Sequence, residues 1–85
     1  KNGEYEGAKK NLEELLSLTE KYPNDEDFIL QRANGIVTGM TVFKDKDEFK
    51  DFFDELDKEL TRMAKIYPDH EGVQLRNKTK SLGRN

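Results

Sequence analysis

The chain has 85 residues, with 15 Lys and Arg against 18 Asp and Glu, one His, and neither Cys nor Trp, for a formal net charge of −3. That leaves room for one small domain and excludes disulfides, thiolate zinc sites, iron–sulfur clusters and a cysteine nucleophile. Leu, Ile, Val and Phe together number 20, enough for a thin core if they are well placed. The longest apolar run, Phe28 to Leu30, is far too short to cross a bilayer, and no charged-then-apolar leader opens the chain. Starting at Lys1 rather than Met, the sequence reads as a processed chain or a piece of a longer one. The lack of cysteine fits a cytoplasmic location.

Hydrophobic spacing at the helical period organises the chain into four segments. In the first, about 4–22, Tyr5, Ala8, Leu12, Leu15, Leu16, Thr19 and Tyr22 recur every three or four residues, opposite a face rich in Glu and Lys. Pro23 stops it, because proline donates no N–H and forces the preceding residue out of the α region. Asn24 is the expected next N-cap, and Asp25, Glu26 and Asp27 suit the positive end of a helix dipole. The second segment, about 25–43, buries Ile29, Ala33, Ile36, Val37 and Met40, flanked by Phe28, Leu30 and Phe43, and is the expected central helix. Gly35 and Gly39 each cost roughly 1 kcal/mol against Ala in a helix interior, which points to a close helix crossing.

Asp45 followed by Glu48 fits the acidic variant of a capping box, opening a third segment, about 46–67. Phe49, Phe52, Phe53, Leu56, Leu60, Met63, Ala64 and Tyr67 form the cleanest apolar stripe in the chain, and Pro68 ends it. Asp69 is placed to cap a short fourth segment, about 70–82, whose apolar members Val73, Leu75 and Leu82 are sparse, with Gly83 as its C-cap. No run alternates apolar and polar residues long enough for a strand. The expected fold is all-α, with short connections forcing antiparallel helical hairpins: three long helices and a short fourth.

The segments 15–26 and 60–71 echo one another at an offset of 45, each passing from a helix through Tyr-Pro-Asn or Tyr-Pro-Asp to the next. Such turns punctuate helical solenoids. Here the chain resembles the tetratricopeptide repeat superfamily, whose second helix commonly ends in such a proline. The opening Gly3-Glu4-Tyr5-Glu6-Gly7-Ala8 is similar to that family's turn between helices, Gly-x-Tyr-x-x-Ala. The resemblance implies a right-handed helical repeat; a small helical bundle is the other architecture the pattern allows. The departures lie in the core: the spacing is 45 rather than 34, Arg32 falls where leucine is usual, Leu56 where alanine is, and Gln74 and Lys78 where packing residues are.

Little in the chain reads as catalytic, and no enzyme activity, cofactor or metal is expected. His70, the only imidazole, reads as an exposed loop residue. The carboxylate clusters sit at helix starts, where capping accounts for them. Asp45-x-Asp47 fails as a calcium loop because Phe49 and Lys50 stand where an oxygen ligand and a glycine are needed, and Gly35-x-x-x-Gly39 lacks the lysine and strand of a phosphate loop.

Charge is divided along the chain: residues 1–71 carry 18 acids and 11 bases, a net −7, and Arg76, Lys78, Lys80 and Arg84 give the last 14 residues +4. With no aromatic residue among those bases, nucleic acid is not the expected partner. The expectation is a protein-interaction or scaffolding module. By the repeat resemblance, a concave face would be lined by the second and fourth segments, with Gln31, Asn34, Thr38, Arg76 and Lys80 contacting an extended acidic peptide or a C-terminal carboxylate. The thin apolar content also allows self-association over the second or third segment. The competing expectation is a purely structural capping or connecting piece of a larger solenoid, with no ligand of its own.

Overall fold

Two Tyr-Pro dipeptides and two amphipathic pairs frame the molecule. A computed structural model of the chain describes residues 2–83, of which Asn2 and 81–83 are described by their backbone alone. Four helices follow one another, α1 (Asn2–Glu20), α2 (Glu26–Phe43), α3 (Lys50–Ile66) and α4 (Glu71–Gly83), with a single 3₁₀ turn at Asp47–Phe49 leading into α3. Among the described residues there is no strand, so the all-α expectation holds. Arg84, counted above with the basic end, lies outside the described residues.

The helix starts differ in detail from those expected. Asp25, not Asn24, caps α2: its backbone is extended and its carboxylate accepts from the amides of Asp27 (2.9 Å) and Phe28 (3.2 Å). At α4 the cap is His70 rather than Asp69, its Nδ1 accepting from the Val73 amide at 3.2 Å, which leaves the ring proton to Nε2. His70 is accordingly half-buried rather than a free loop residue. Asp45 caps nothing; Lys46 precedes the 3₁₀ turn and Phe49 precedes α3, neither with a side-chain cap bond.

The two Tyr-Pro turns share one backbone pattern. Asp25 N–H bonds Tyr22 O as His70 N–H bonds Tyr67 O, and Ile29 N–H bonds Asp25 O as Gln74 N–H bonds His70 O. Each cap side chain accepts from the third helical amide, Phe28 or Val73. The turns also lie together. Tyr67 Oη donates to Pro23 O at 2.7 Å, and His70 Nε2 faces Glu26 O at 3.4 Å.

Helix α2 packs against α1, α3 and α4, as its wide apolar circumference requires. Ala33 and Ile36 are fully buried in one core with Leu12 of α1, Leu56, Leu60 and Met63 of α3, and Val73 of α4. Opposite the Tyr-Pro turns, Phe43 meets Phe49 at 4.8 Å and Phe52 edge-on at 5.4 Å, with Tyr5 leaning on the same cluster. Such pairs contribute about 0.5–1.5 kcal/mol each beyond their buried area. The glycines of α2 mark a tight crossing with α1: a Cβ at Gly35 would stand 2.5 Å from Leu15 Cδ2, and one at Gly39 would collide with Leu12 and lie 2.9 Å from Leu56 Cδ1. The result is a flat body of 38 × 30 × 15 Å.

Candidate functional site

Because two glycines let α1 sink against α2, the surface dips along their crossing. The groove, about 440 Å³, has Leu12, Leu15, Gly35 and Gly39 where the helices touch, with Ala8 and Asn11 of α1 facing Gln31, Asn34 and Thr38 of α2. Gln31, Asn34 and Thr38 recur at steps of three and four and so share one helical face. Asn11 joins them from the other helix. Sequence reasoning passed over it, although it borders the apolar stripe of α1 and flanks the leucine that meets both glycines.

Among the described residues no titratable group lines this groove. The side chains of Asn11, Gln31 and Thr38 are exposed, with no hydrogen-bond partner among the described residues. Two amides and a hydroxyl offer both donors and acceptors, the chemistry that reads peptide backbone rather than one particular charge.

Arg76 reaches the rim from α4. Its Nε donates to Asn34 Oδ1 and its Nη1 to Gly72 O at 3.0 Å, leaving Nη2 without a partner among the described residues. Lys80 is placed differently. Its side chain, 7% exposed, is locked onto α3, the ammonium donating to the Asp57 carboxylate, to Asp57 O at 2.9 Å and to Thr61 Oγ1 at 2.5 Å. Of the five residues singled out from the sequence, three therefore line one groove, Arg76 bonds one of these three, and Lys80 serves the α3–α4 interface.

A second polar assembly holds three helices together. Arg32, on α2, donates Nη1 to Leu16 O (2.5 Å) and Thr19 Oγ1 (2.8 Å) of α1, and Nε to Glu59 Oε2 (3.0 Å) of α3. Thr19 is buried and in turn donates to Leu15 O at 2.9 Å. Burial pushes the Glu59 carboxyl up, but hydrogen bonds from Arg62 and Arg32, with their charges, outweigh it and hold the group below its ordinary value. The same hydrogen bond to Glu59 raises Arg62, keeping it firmly charged. At the corresponding place on α4, Asn77 has its Oδ1 buried without a partner among the described residues. Gln74 closes the end of α3, its amide donating to Ala64 O (2.7 Å) and Tyr67 O (3.1 Å).

A smaller hollow of about 300 Å³ on α3 is lined by Asp57, Lys58, Thr61, Arg62 and Lys65. Among the described residues no three acidic or His side chains group to hold a metal ion, and no helix is long and apolar enough to cross a membrane. No protein-family model, curated protein or solved structure matches the chain.

Proposed function

We propose that the chain is a protein-interaction module of tetratricopeptide-like type that binds an extended acidic peptide along the α1–α2 groove. One observation carries this reading: three polar side chains without partners among the described residues, Asn11, Gln31 and Thr38, surround one groove, and the lining residue Asn34 is bonded to a guanidinium whose Nη2 edge is likewise spare among those residues. The amides and hydroxyl would pair with peptide backbone, and Arg76 would take a carboxylate, side-chain or C-terminal. Binding rests on hydrogen bonding and shape, with no chemical step.

The test is a screen of extended acidic peptides with free C-termini against the isotopically labelled chain. Binding in the groove moves the amide resonances of Asn11, Gln31, Gly35 and Thr38, and Arg76→Ala weakens it about tenfold, the loss of one charge-assisted hydrogen bond. Perturbations confined to the α3 hollow, or none at all, would refute the reading.

A second reading, that of a connecting segment in a larger helical array, is favoured by the shared hydrogen-bond pattern of the two Tyr-Pro turns and by the bond from Tyr67 to Pro23. In such arrays each hairpin contacts only its neighbours.

A further inference from the structure

The α2–α4 interface is built from a short set of contacts. On α2 the residues are Glu26, Leu30 and Asn34, one turn apart: Glu26 O faces His70 Nε2 at 3.4 Å, Leu30 Cδ1 lies 2.8 Å from where a Gly72 Cβ would be, and Asn34 Oδ1 accepts from Arg76. The glycine here lets Leu30 approach closely, and its backbone has no positive φ. Moving 45 residues along the chain, the offset that superposes the two Tyr-Pro turns, carries these three onto Glu71, Leu75 and Thr79 of α4. Glutamate falls on glutamate, leucine on leucine, and a hydrogen-bonding side chain on another.

All three are exposed, and Leu75, at 62%, is the most exposed large apolar residue among the described residues. Pro68 O stands where Pro23 O does in the first turn. The α4 face thus repeats the surface that meets α4 on α2, and the two differ at the leucine, half-buried at Leu30 and exposed at Leu75.

We propose that Glu71, Leu75 and Thr79 form the docking surface for a further helical hairpin built like α3–α4 and entering in the same 45-residue register. The incoming hairpin brings a tyrosine hydroxyl to Pro68 O, a glycine over Leu75 and a basic side chain to Thr79. A second copy of this chain does not meet that requirement. Its α1–α2 hairpin would bring Asp27 to the glycine position, setting a carboxylate against Leu75, where even a bare Cβ is crowded. The inference rests on the helical-repeat reading and is separate from the groove, which none of these three residues lines.

The experiment continues the full 85-residue chain with a copy of its residues 41–83, which keeps the 45-residue register and supplies Tyr67, His70, Gly72 and Arg76 in the incoming positions. Helicity by circular dichroism, Tm, and the effect of Leu75→Asp are compared in the original and extended chains. Docking raises the helical signal in proportion to the added residues, lifts Tm by roughly 5 °C or more, and makes Leu75→Asp costly in the extended chain while it stays silent in the original. If the added hairpin is helical but Tm is unchanged and Leu75→Asp is silent in both chains, the surface does not dock it, while the repeat architecture survives. An added segment that stays unfolded overturns the inference and the repeat reading together. Sedimentation of the original chain supplies the remaining arm: self-association abolished by Leu75→Asp would make a second copy the occupant and refute the assignment.

Discussion

Arg32 of α2 and Glu59 of α3 form a charge pair in which neither side chain is more than one-fifth exposed: Arg32 Nη2 lies 2.9 Å from Glu59 Oε2, and the same guanidinium reaches back to α1 through Leu16 O. Removing Glu59 leaves the Arg32 guanidinium with neutral acceptors alone, and removing Arg32 costs the contacts to both α1 and α3 while Glu59 keeps Arg62. Arg32→Ala should cost about 3 kcal/mol and Glu59→Gln about 2 kcal/mol in urea unfolding at neutral pH, and a double-mutant cycle should show coupling rather than additivity. Independent, additive effects would mean the pair is not an energetic unit.

The same carboxylate makes stability depend on acid. Glu59 sits below its ordinary value of 4.5 in the folded chain, so on acidification the unfolded chain takes up this proton first. Its contribution is complete above that value and withdrawn as the pH falls through the folded value. The stability gap between the parent and Glu59→Gln should therefore narrow as the pH falls below 4.5 and vanish once the folded carboxyl is protonated.

Capping gives a sharper test of single positions. His70→Ala should lower stability by about 1 kcal/mol, with His70→Asn recovering much of it, because asparagine also accepts from the third amide. Asp69→Ala should stay within about 0.5 kcal/mol. A larger loss at Asp69 than at His70 would move the cap back to the residue that its type alone favours.

The glycines divide by surroundings. At Gly7 an added Cβ meets nothing within 4 Å, so Gly7→Ala should stabilise α1 by about 0.5–1 kcal/mol. At Gly39 the same atom meets leucines from two helices, so Gly39→Ala should destabilise by about 1–3 kcal/mol despite its better helix propensity.

The tyrosines at the two turns also differ. Tyr67→Phe removes the donor to Pro23 O and should cost about 1 kcal/mol. The Tyr22 hydroxyl has no partner among the described residues, its ring instead stacking on Phe28 at 4.5 Å, so Tyr22→Phe should change thermal stability by no more than about 0.5 kcal/mol.

What the sequence revealed and what it hid separate along physical lines. Helix count, the proline stops, the centrality of α2 and the close glycine crossing rest on periodicity and backbone sterics, which act over a few residues. The caps were missed by one position because Asn24 and Asp25 are both good acceptors, and only the backbone angles at Asp25 choose between them. At α4 an imidazole took a role that Asp69 suits by type. Arg32 read as a misfit in an apolar stripe because its partners lie 16 and 27 residues away. Lys80 read as a free surface base for the same reason, its acceptors being 19 and 23 residues distant. Polar networks that join separate helices leave no periodic trace.

Because α2 lies on the interface with each of the other three helices, no part of the core closes without it. The chain has few ways to come apart in stages: peeling α1 bares the glycine crossing and strips Arg32 of its carbonyl acceptor, while peeling α4 bares Leu30 and leaves Asn34 unpaired. Opening therefore reaches α2 last, and its amides exchange with solvent on the timescale of whole-molecule unfolding while those at the outer ends of α1 and α4 exchange sooner.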